Sequence, residues 1–406
     1  MKAIKSRSDL LKLLCEAAEL EHGIACSYLY AGFSLKRDLS EGGMTWQEQQ
    51  MVRRWAAQIY FIASQEMLHL ALAWNLTTAI GGTPYYLRPN FPQESNYYPN
   101  RARLALEPFG VECLRRFILY ERPATLRAEH EVRALLAVPG EDAADITFGT
   151  IGELYALIES GFKSIPEEQL FIGSPAQQMT RDLVHFPDLV AVTDRNTALK
   201  AIHTITHQGE GNLKDRDDSH FGAFLAMLKE LLDSKSHGAN FAPARPAIVN
   251  PYSGLGRGYG AAANPIGHPL TQQVAALFDS AYGLMLRMLA WSFEVENTGI
   301  ETTVREFCRM AIDFMPRVLL PLGEGLMLMP AGEKYQGRTA GPGFGLTRHV
   351  MLPVAAGNAR LLCEERLQEL SQIAASLLKQ ALPDPAKSAC VHIQQLANQF
   401  RTEKVS

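Results

Sequence analysis

Helical periodicity is the feature that most constrains what this chain can fold into. Apolar residues recur at steps of three and four positions through two long segments, about 8–35 and about 45–80. Such spacing places them on one face of an α-helix, which has about 3.6 residues per turn. Thr45 is a suitable N-cap for the second helix, and Gly81-Gly82-Thr83-Pro84 is a strong terminator. The start of the chain therefore predicts two long helices packed through their apolar faces.

Further helical patterns predict an all-α protein built from two bundles. They cover about residues 109–121, 147–163, 195–211, 219–235, 269–296, 301–321, 357–380 and 387–404. Residues 236–268 are rich in Gly, Ala, Pro and Asn, as interdomain linkers often are. We expect a first domain over 1–235, a linker over 236–268 and a C-terminal helical domain over 269–406. The tyrosine-rich stretch 81–108 is expected to be an ordered, packed loop that helps to cover a pocket.

Charge and cysteine content exclude several classes of protein. The chain has 39 basic and 43 acidic residues and a net charge of -4, which gives no basis for general binding to nucleic acid or to an anionic membrane. It contains no run of about 18 apolar residues and no apparent secretory signal. Its six cysteines are scattered, as reduced thiols of a cytosolic protein would be. We expect a soluble cytoplasmic protein with no nucleic-acid or membrane partner.

Acidic and histidine residues on apolar helix faces are the chemically informative positions. Glu66 and His69 lie three residues apart in an apolar run, so they point the same way, and Glu21 lies on the preceding helix. A buried carboxylate needs a partner, because an unpaired buried charge costs several kcal/mol. That partner can be a metal ion, an arginine or a water network. A single Glu-x-x-His on a helix occurs more often by chance than as a metal site. The prediction of a metal site therefore depends on finding ligand-type residues on several helices together.

Two later helices extend the pattern. One carries Glu153, and the next carries His203, His207 and Glu210 at positions i, i+4 and i+7. One Glu on each of two helices, with a Glu-x-x-His pair on the other two, is typical of di-iron and di-manganese sites in four-helix bundles. Here the last pair has the inverted order His-x-x-Glu. The predicted metal ligands are Glu21, Glu66, His69, Glu153, His207, Glu210 and His220.

Several of these motifs resemble one family. The segments ELEHGIACSYLYAGFSLK, SQEMLHLALAWNLTTAIGGTPYYLRPNFP, LEPFGVECLRRFILYERP, TIGELYALIE and ITHQGEG, with a later DSHF, are similar to the ferritin-like family of the iminophenyl-pyruvate dimer synthases of violacein-type bisindole pathways. The resemblance covers roughly residues 8–235. It implies a ferritin-like four-helix bundle with a metal site. Its motifs are specific for the fold and much less specific for the substrate.

The resemblance also implies roles for individual positions. Four residues match ligand positions of ferritin-like bundles, namely Glu21, Glu66, His69 and Glu153. Glu210 matches an acidic position of the family, and His220 matches the histidine of its Ser-His-aromatic motif. His207 departs from the pattern, since the family has Glu there. The family's dimer synthases are also much longer than this chain, so coupling of two indolic imines does not transfer directly.

These features favour a non-haem oxidase or oxygenase. The expected cofactor is iron, one or two ions, with manganese as an alternative, and the expected partners are dioxygen and a small, amino-acid-derived metabolite of a secondary pathway. A homodimer is also expected. Two alternatives remain. A metal-binding or vestigial protein without turnover is suggested by His207, and a ferroxidase or iron-storage protein is disfavoured by the length of the chain.

Overall fold

The computed structural model describes residues 4–93, 103–123, 150–209, 219–237, 240–254, 259, 262–295, 299–346, 348 and 350–402. Within this part the fold is all-α, as the sequence predicts, apart from one pair of two-residue parallel strands. The strands are β1 (Pro251–Tyr252) and β2 (Asn264–Pro265).

Most of the longer helices begin and end within a few residues of the predicted bounds, whereas two one-turn helices, Glu167–Leu170 and Arg181–Val184, lie where no helix is predicted, and the α-helix predicted over 301–321 ends at Phe314. Those of the first half are α1 (Arg7–Ser34), α2 (Trp46–Ala79), α3 (Val111–Tyr120), α4 (Ile151–Ser164), α5 (Glu167–Leu170), α6 (Arg181–Val184), α7 (Arg195–Gly209) and α8 (His220–His237). Those of the second half are α9 (Pro269–Glu294), α10 (Glu301–Phe314), α11 (Leu320–Leu326), α12 (Ala356–Leu377) and α13 (Asp384–Thr402). A π-helical turn, Met315–Leu319, joins α10 to α11.

The first half contains the predicted four-helix arrangement. Helices α1 and α2 pack along one another, α4 packs on α1, α7 packs on α2, and α4 contacts α7. Helices α3 and α8 form a further pair that contacts α2. The start of α2 confirms the predicted cap, because Thr45 and Glu48 each accept a backbone N–H hydrogen bond from the other. Such a capping box satisfies two N–H groups that have no partner within the helix.

The described part of the predicted linker is packed rather than exposed. Arg245 forms an ion pair with Glu41 and donates to the backbone oxygen of Phe33. The hydroxyl of Tyr30 donates to the backbone oxygen of Ile248. These contacts hold the segment against α1, and the buried apolar residues of both halves form one contiguous core. The domain boundaries themselves stay a prediction.

The described part of the tyrosine-rich loop is also packed. The backbones of Gln93 and Leu104 pair with each other, and the hydroxyl of Tyr86 donates to the backbone oxygen of Val350. Tyr86 is 2% exposed. The loop therefore joins the first half of the chain to the second.

One described helix is long and apolar enough to cross a membrane by length and composition alone. It is α9, and 67% of its most apolar window is buried inside the protein. Central helices of globular cores meet the same two criteria, so the finding is weak support for a membrane span.

A close approach of two backbones explains why residue 173 is glycine. A β-carbon at Gly173 would lie 1.7 Å from the backbone oxygen of Thr78, and the Gly173 N–H donates to the oxygen of Ala79 at 3.1 Å. We expect Gly173→Ala to lower the free energy of unfolding by about 2–4 kcal/mol, because the loop must leave the end of α2. Urea unfolding measures this change.

A matched glycine controls for the substitution itself. A β-carbon at Gly357, which lies exposed in α12, would have no neighbour within 4 Å. Gly357→Ala should therefore be neutral or stabilise by up to about 1 kcal/mol, as alanine favours helix. If both variants unfold at the wild-type urea concentration, the close approach at Gly173 does not constrain the fold.

Candidate metal centre

Three buried side chains from α1 and α2 form the first part of a polar cluster. Glu21 lies on α1, and Glu66 and His69 lie one turn apart on α2; each is 2% exposed. The Nδ1 atom of His69 is 3.1 Å from Glu66 Oε2 and 3.7 Å from Glu21 Oε2. One ligand atom from each residue lies within 4.8 Å of the others, a separation that allows a shared metal ion.

A second trio shares Glu66 with the first. Glu121 follows the last residue of α3, and His220 is the first residue of α8; they are 4% and 2% exposed. The Nδ1 atom of His220 is 2.8 Å from Glu66 Oε1 and 3.7 Å from Glu121 Oε1. These three residues also offer ligand atoms within 4.8 Å of one another. The cluster is thus two half-sites, each with one carboxylate and one imidazole of its own, joined by Glu66.

The shared carboxylate has one oxygen on each side. Glu66 Oε2 lies toward His69, and Glu66 Oε1 lies toward His220. Glu66 Oε1 and His220 Nδ1 are both buried, and apart from their mutual contact at 2.8 Å neither has a hydrogen-bond partner in the described structure. Unsatisfied buried polar atoms are rare and costly. A cation between these atoms would satisfy both.

A glutamine holds the outer nitrogen of each imidazole. His69 Nε2 is 3.0 Å from Gln208 Oε1, and His220 Nε2 is 3.0 Å from Gln65 Oε1. Because a carbonyl oxygen only accepts, each Nε2 carries a hydrogen, and Nδ1 is the atom left for a metal. Gln208 is itself oriented by Asp188, which accepts from its Nε2 at 3.4 Å. Both imidazoles therefore present the same nitrogen to the cluster.

A buried tyrosine donates to each outer carboxylate. The hydroxyl of Tyr155 on α4 donates to Glu21 Oε1 at 2.6 Å, and the hydroxyl of Tyr28 on α1 donates to Glu121 Oε1. Hydrogen bonds of this kind fix the orientation of carboxylates that bind metals. The two half-sites thus have matching supports as well as matching ligands.

The pKa values of the cluster residues are set by their burial and by the charges of their neighbours in the cluster. Burial, helped by the charge of Glu66, raises the pKa of Glu21 to about 7. Burial alone would lower the pKa of His220, but the Glu66 carboxylate outweighs it and raises that pKa to about 9. The pKa of His69 is raised in the same way, and burial of Glu66 is outweighed by the two imidazoles, which lower its pKa. Without a metal, protons on the imidazoles supply part of the positive charge that the carboxylates require.

No lysine or arginine of the described residues forms an ion pair with the three carboxylates Glu21, Glu66 and Glu121. A cavity of about 20 Å³ lies among them, and about 10–15 Å³ suffices for a water-sized occupant. Carboxylate oxygens with imidazole nitrogens are donors that suit iron and manganese. The residues present therefore fit the metal that the sequence predicts.

The structure places two of the predicted ligands, Glu153 and His207, apart from this cluster. Glu153 is half-buried in the first turn of α4, about 200° around the helix from Ile151, which faces the cluster with Tyr155. His207 is exposed on α7, whose buried face carries Ala198, Ile202 and Ile205 instead. Neither residue belongs to a group that could hold a metal among the described residues. Glu210 lies outside the described residues.

The sequence analysis missed Glu121. Its position follows the buried face of α3, four residues after Phe117 and seven after Leu114. The same spacing argument that selected Glu66 would therefore have found it. Glu121 lies at the end of the helix, two residues before Pro123, and acidic residues are mostly exposed unless they are paired.

The chain is similar to several known proteins. A family model described as Ferritin-like matches residues 14–229. The dichlorochromopyrrolate synthase of Lentzea aerocolonigenes is 27% identical over 438 residues, which cover 98% of this chain and 41% of that protein. The 2-imino-3-(indol-3-yl)propanoate dimerase of Chromobacterium violaceum is 30% identical over 368 residues, which cover 84% of this chain and 34% of that protein. The chain thus spans less than half the length of either relative.

A solved structure is also similar. The crystal structure of a ferritin like protein from Caulobacter vibrioides, at 1.95 Å resolution, matches with a TM-score of 0.45 and 20% identity. The match covers 75% of this chain and 95% of that one.

Proposed function

Because this chain belongs to the ferritin-like family, we propose that it is a metal-dependent oxidoreductase that uses dioxygen on a small organic molecule. The carboxylate and imidazole cluster would hold the metal, iron or else manganese. Glu21, Glu66 and His69 would hold one ion, and Glu66, Glu121 and His220 a second. Iron bound there would supply the redox chemistry that dioxygen requires.

The position of Glu66 is the observation that carries this proposal. Two nearby divalent ions repel each other, so a carboxylate between them is needed to bring them close. Glu66 has one oxygen toward each imidazole, at 3.1 and 2.8 Å. A structural ion pair would need only one of these contacts.

The other residues of the chain would prepare the site for chemistry. Gln65 and Gln208 keep a proton on the outer nitrogen of each imidazole, so that the inner nitrogen is available. Tyr28 and Tyr155 orient the outer carboxylates and, because burial raises the pKa of each, remain protonated donors. The surrounding apolar core keeps bulk water from the cluster.

The relatives suggest the kind of substrate. Two of them are a synthase and a dimerase, and the name of the dimerase gives an indolyl imino acid as its substrate. For this chain we propose a biosynthetic enzyme of a secondary pathway that acts on a small, amino-acid-derived metabolite. A cytoplasmic location and a homodimer are part of the same proposal.

The alternatives have less support. A binding protein without turnover was suggested by His207 at a family Glu position, but His207 is exposed and away from the cluster. Iron storage would require many subunits to assemble into a closed shell. Such shells are built from compact single-bundle subunits, whereas this chain has a second helical half. The exposed position of His207 therefore gives the first alternative less support than the proposed activity.

Dioxygen consumption tests the proposed activity. Protein loaded with Fe(II) without oxygen should consume dioxygen faster than an equal amount of free Fe(II), and Glu66→Gln should not. An optical change that requires both the iron-loaded protein and oxygen is expected with it. If consumption by wild type equals that of free Fe(II) while the metal stays bound, the protein binds metal without accelerating its reaction with dioxygen, and the proposed activity is wrong.

The glutamine that holds His69 offers a separate prediction. Gln208→Leu removes the acceptor for His69 Nε2, so the imidazole can turn and protonate on the wrong nitrogen. Loss of such outer contacts typically weakens metal binding about 10- to 100-fold. Competition with a chelating dye measures the change. Gln169→Leu, on the short helix α5 away from the cluster, is the matched control.

A further inference from the structure

A polar cavity lies beside α9 in the second half of the protein. Its volume is about 180 Å³, and for comparison an engineered protein cavity of about 150 Å³ holds benzene. One face of α9 forms the floor, where Asp279, Ser280, Gly283 and Arg287 follow one another at helical spacing. Among the described residues, none lines both this cavity and the cavity of the metal cluster. The polar cavity is therefore a separate place for a small ligand.

Three arginines from different parts of the chain line this cavity. Arg287 lies on α9, Arg366 lies on α12, and Arg348 lies in the segment before α12. In the described structure the side chains of Arg287 and Arg348 form no ion pair, and Arg287 Nε is buried without a hydrogen-bond partner. Arg366 pairs with Glu369 at 2.5 Å on the surface of α12, where such pairs contribute at most about 1 kcal/mol. These guanidinium groups make the cavity electropositive.

Asp279 is the acidic residue among those that line the cavity in the described structure, and its carboxyl oxygens already have other partners. Oδ1 accepts from the backbone N–H of Gly345 at 2.8 Å, and Oδ2 accepts from the hydroxyl of Ser253 at 3.3 Å. Burial raises the pKa of Asp279 to about 7, although these two donors and the charge of Arg88 favour its ionised form. Because Arg88 lies outside the cavity wall and offsets this carboxyl, the three arginines of the cavity keep most of their positive charge.

A glycine in the middle of α9 leaves room at the floor of the cavity. Glycine inside a helix costs roughly 0.5–1 kcal/mol relative to alanine. A β-carbon at Gly283 would have no neighbour within 4 Å, so packing within the protein does not require glycine there. Ser280 lies three residues before it and Arg287 four residues after it, and both line the same cavity. A ligand held between the hydroxyl and the guanidinium would occupy the space that Gly283 leaves open.

We propose that this cavity binds a small dianion, which is held by the guanidinium groups of Arg287, Arg348 and Arg366. A guanidinium group donates two parallel hydrogen bonds to the oxygens of a carboxylate or a phosphate. A phosphoryl group and a short dicarboxylate both have this chemistry, and the volume of the cavity admits either. The site is separate from the metal cluster and does not depend on the proposed reaction.

Calorimetric titration of the full chain with inorganic phosphate and with malonate, at neutral pH and constant ionic strength, tests the proposal. At least one of these dianions should bind at one per chain, with a Kd on the order of 0.1–1 mM. Binding of phosphate alone would identify a phosphoryl group as the ligand, and binding of malonate alone a dicarboxylate. Acetate, which has one carboxylate, should bind at least about tenfold more weakly than the better dianion. If neither dianion saturates a site below about 10 mM, or if acetate binds equally well, the proposal is wrong.

Variants locate the binding. Gly283→Leu fills the floor of the cavity and should weaken binding of the better dianion at least about tenfold, while the fold is kept because leucine favours helix more than glycine does. Arg287→Gln removes one guanidinium and should weaken binding about tenfold or more, as expected for loss of a charge-assisted hydrogen bond. Gly357→Leu on α12 and Arg53→Gln on α2 make the same changes at exposed positions outside the cavity and should leave binding unchanged. Wild-type affinity in Gly283→Leu or in Arg287→Gln would contradict the proposal.

Discussion

Glu66→Gln is expected to lose both metal ions, from about two per chain in the wild type to close to none. The substitution keeps the size of the side chain and removes the charge. Each half-site then retains only its own carboxylate and imidazole, and the negative charge between the two cations is gone. Metal content after anaerobic loading with Fe(II) and desalting, measured by mass spectrometry, gives the result directly.

The control for this variant lies on another helix of the same bundle. Glu153→Gln makes the same chemical change at a half-buried acid that stands apart from the cluster, so it should keep the wild-type metal content. Both variants should keep the wild-type circular dichroism spectrum. If Glu66→Gln retains a full complement of metal, Glu66 is not the shared ligand and the two half-sites are not joined through it.

Loss of one half-site is the second large effect. We expect Glu121→Gln to retain about one ion per chain, because Glu66 and the residues of the first half-site are intact. The structure places Glu121 beside His220, with 3.7 Å between Oε1 and Nδ1. His220→Ala should therefore give the same stoichiometry as Glu121→Gln. Metal content at increasing Fe(II) concentrations separates a lost site from a weakened one.

His207→Ala is the matched histidine control, since the sequence pattern favours His207 and the structure does not. It should bind as much metal as the wild type, because its imidazole is exposed on α7. If metal is lost in His207→Ala and kept in Glu121→Gln, then His207 is a ligand of the loaded protein, as the sequence pattern predicts, and Glu121 is not.

Much of the fold can be predicted from the sequence because it is set by local periodicity. The bounds of α1 and α2 follow from apolar spacing and from the Thr45 cap. Glu66 and His69 lie well inside α2, where the spacing of apolar residues shows which side of the helix is buried. Those two residues were found for that reason. The same holds for Glu21 on α1, because the residues one turn away on either side, Ala17 and Ala25, are apolar and buried.

The predicted residues and the observed cluster differ where spacing alone does not fix the buried face of a helix or the environment of a helix end. On α7 the histidines His203 and His207 share one face, but Ile202 and Ile205 share the buried one. The spacing alone could not decide between them. Glu121 continues the buried face of α3 just past the end of the helix, so spacing alone can indicate it, but its contacts with Tyr28 and His220 from distant parts of the chain cannot be read from the spacing. Contacts between distant parts of the chain, such as that of Tyr86 with Val350, cannot be predicted from periodicity.

The most direct test of the shared-carboxylate centre is an anomalous difference map at the iron edge from crystals loaded with Fe(II). Two peaks are expected, one bounded by Glu21, Glu66 and His69 and one bounded by Glu66, Glu121 and His220. Glu66 should contact both. Peaks elsewhere, or fully loaded crystals with no density between Glu66 and either imidazole, would contradict the account of this site.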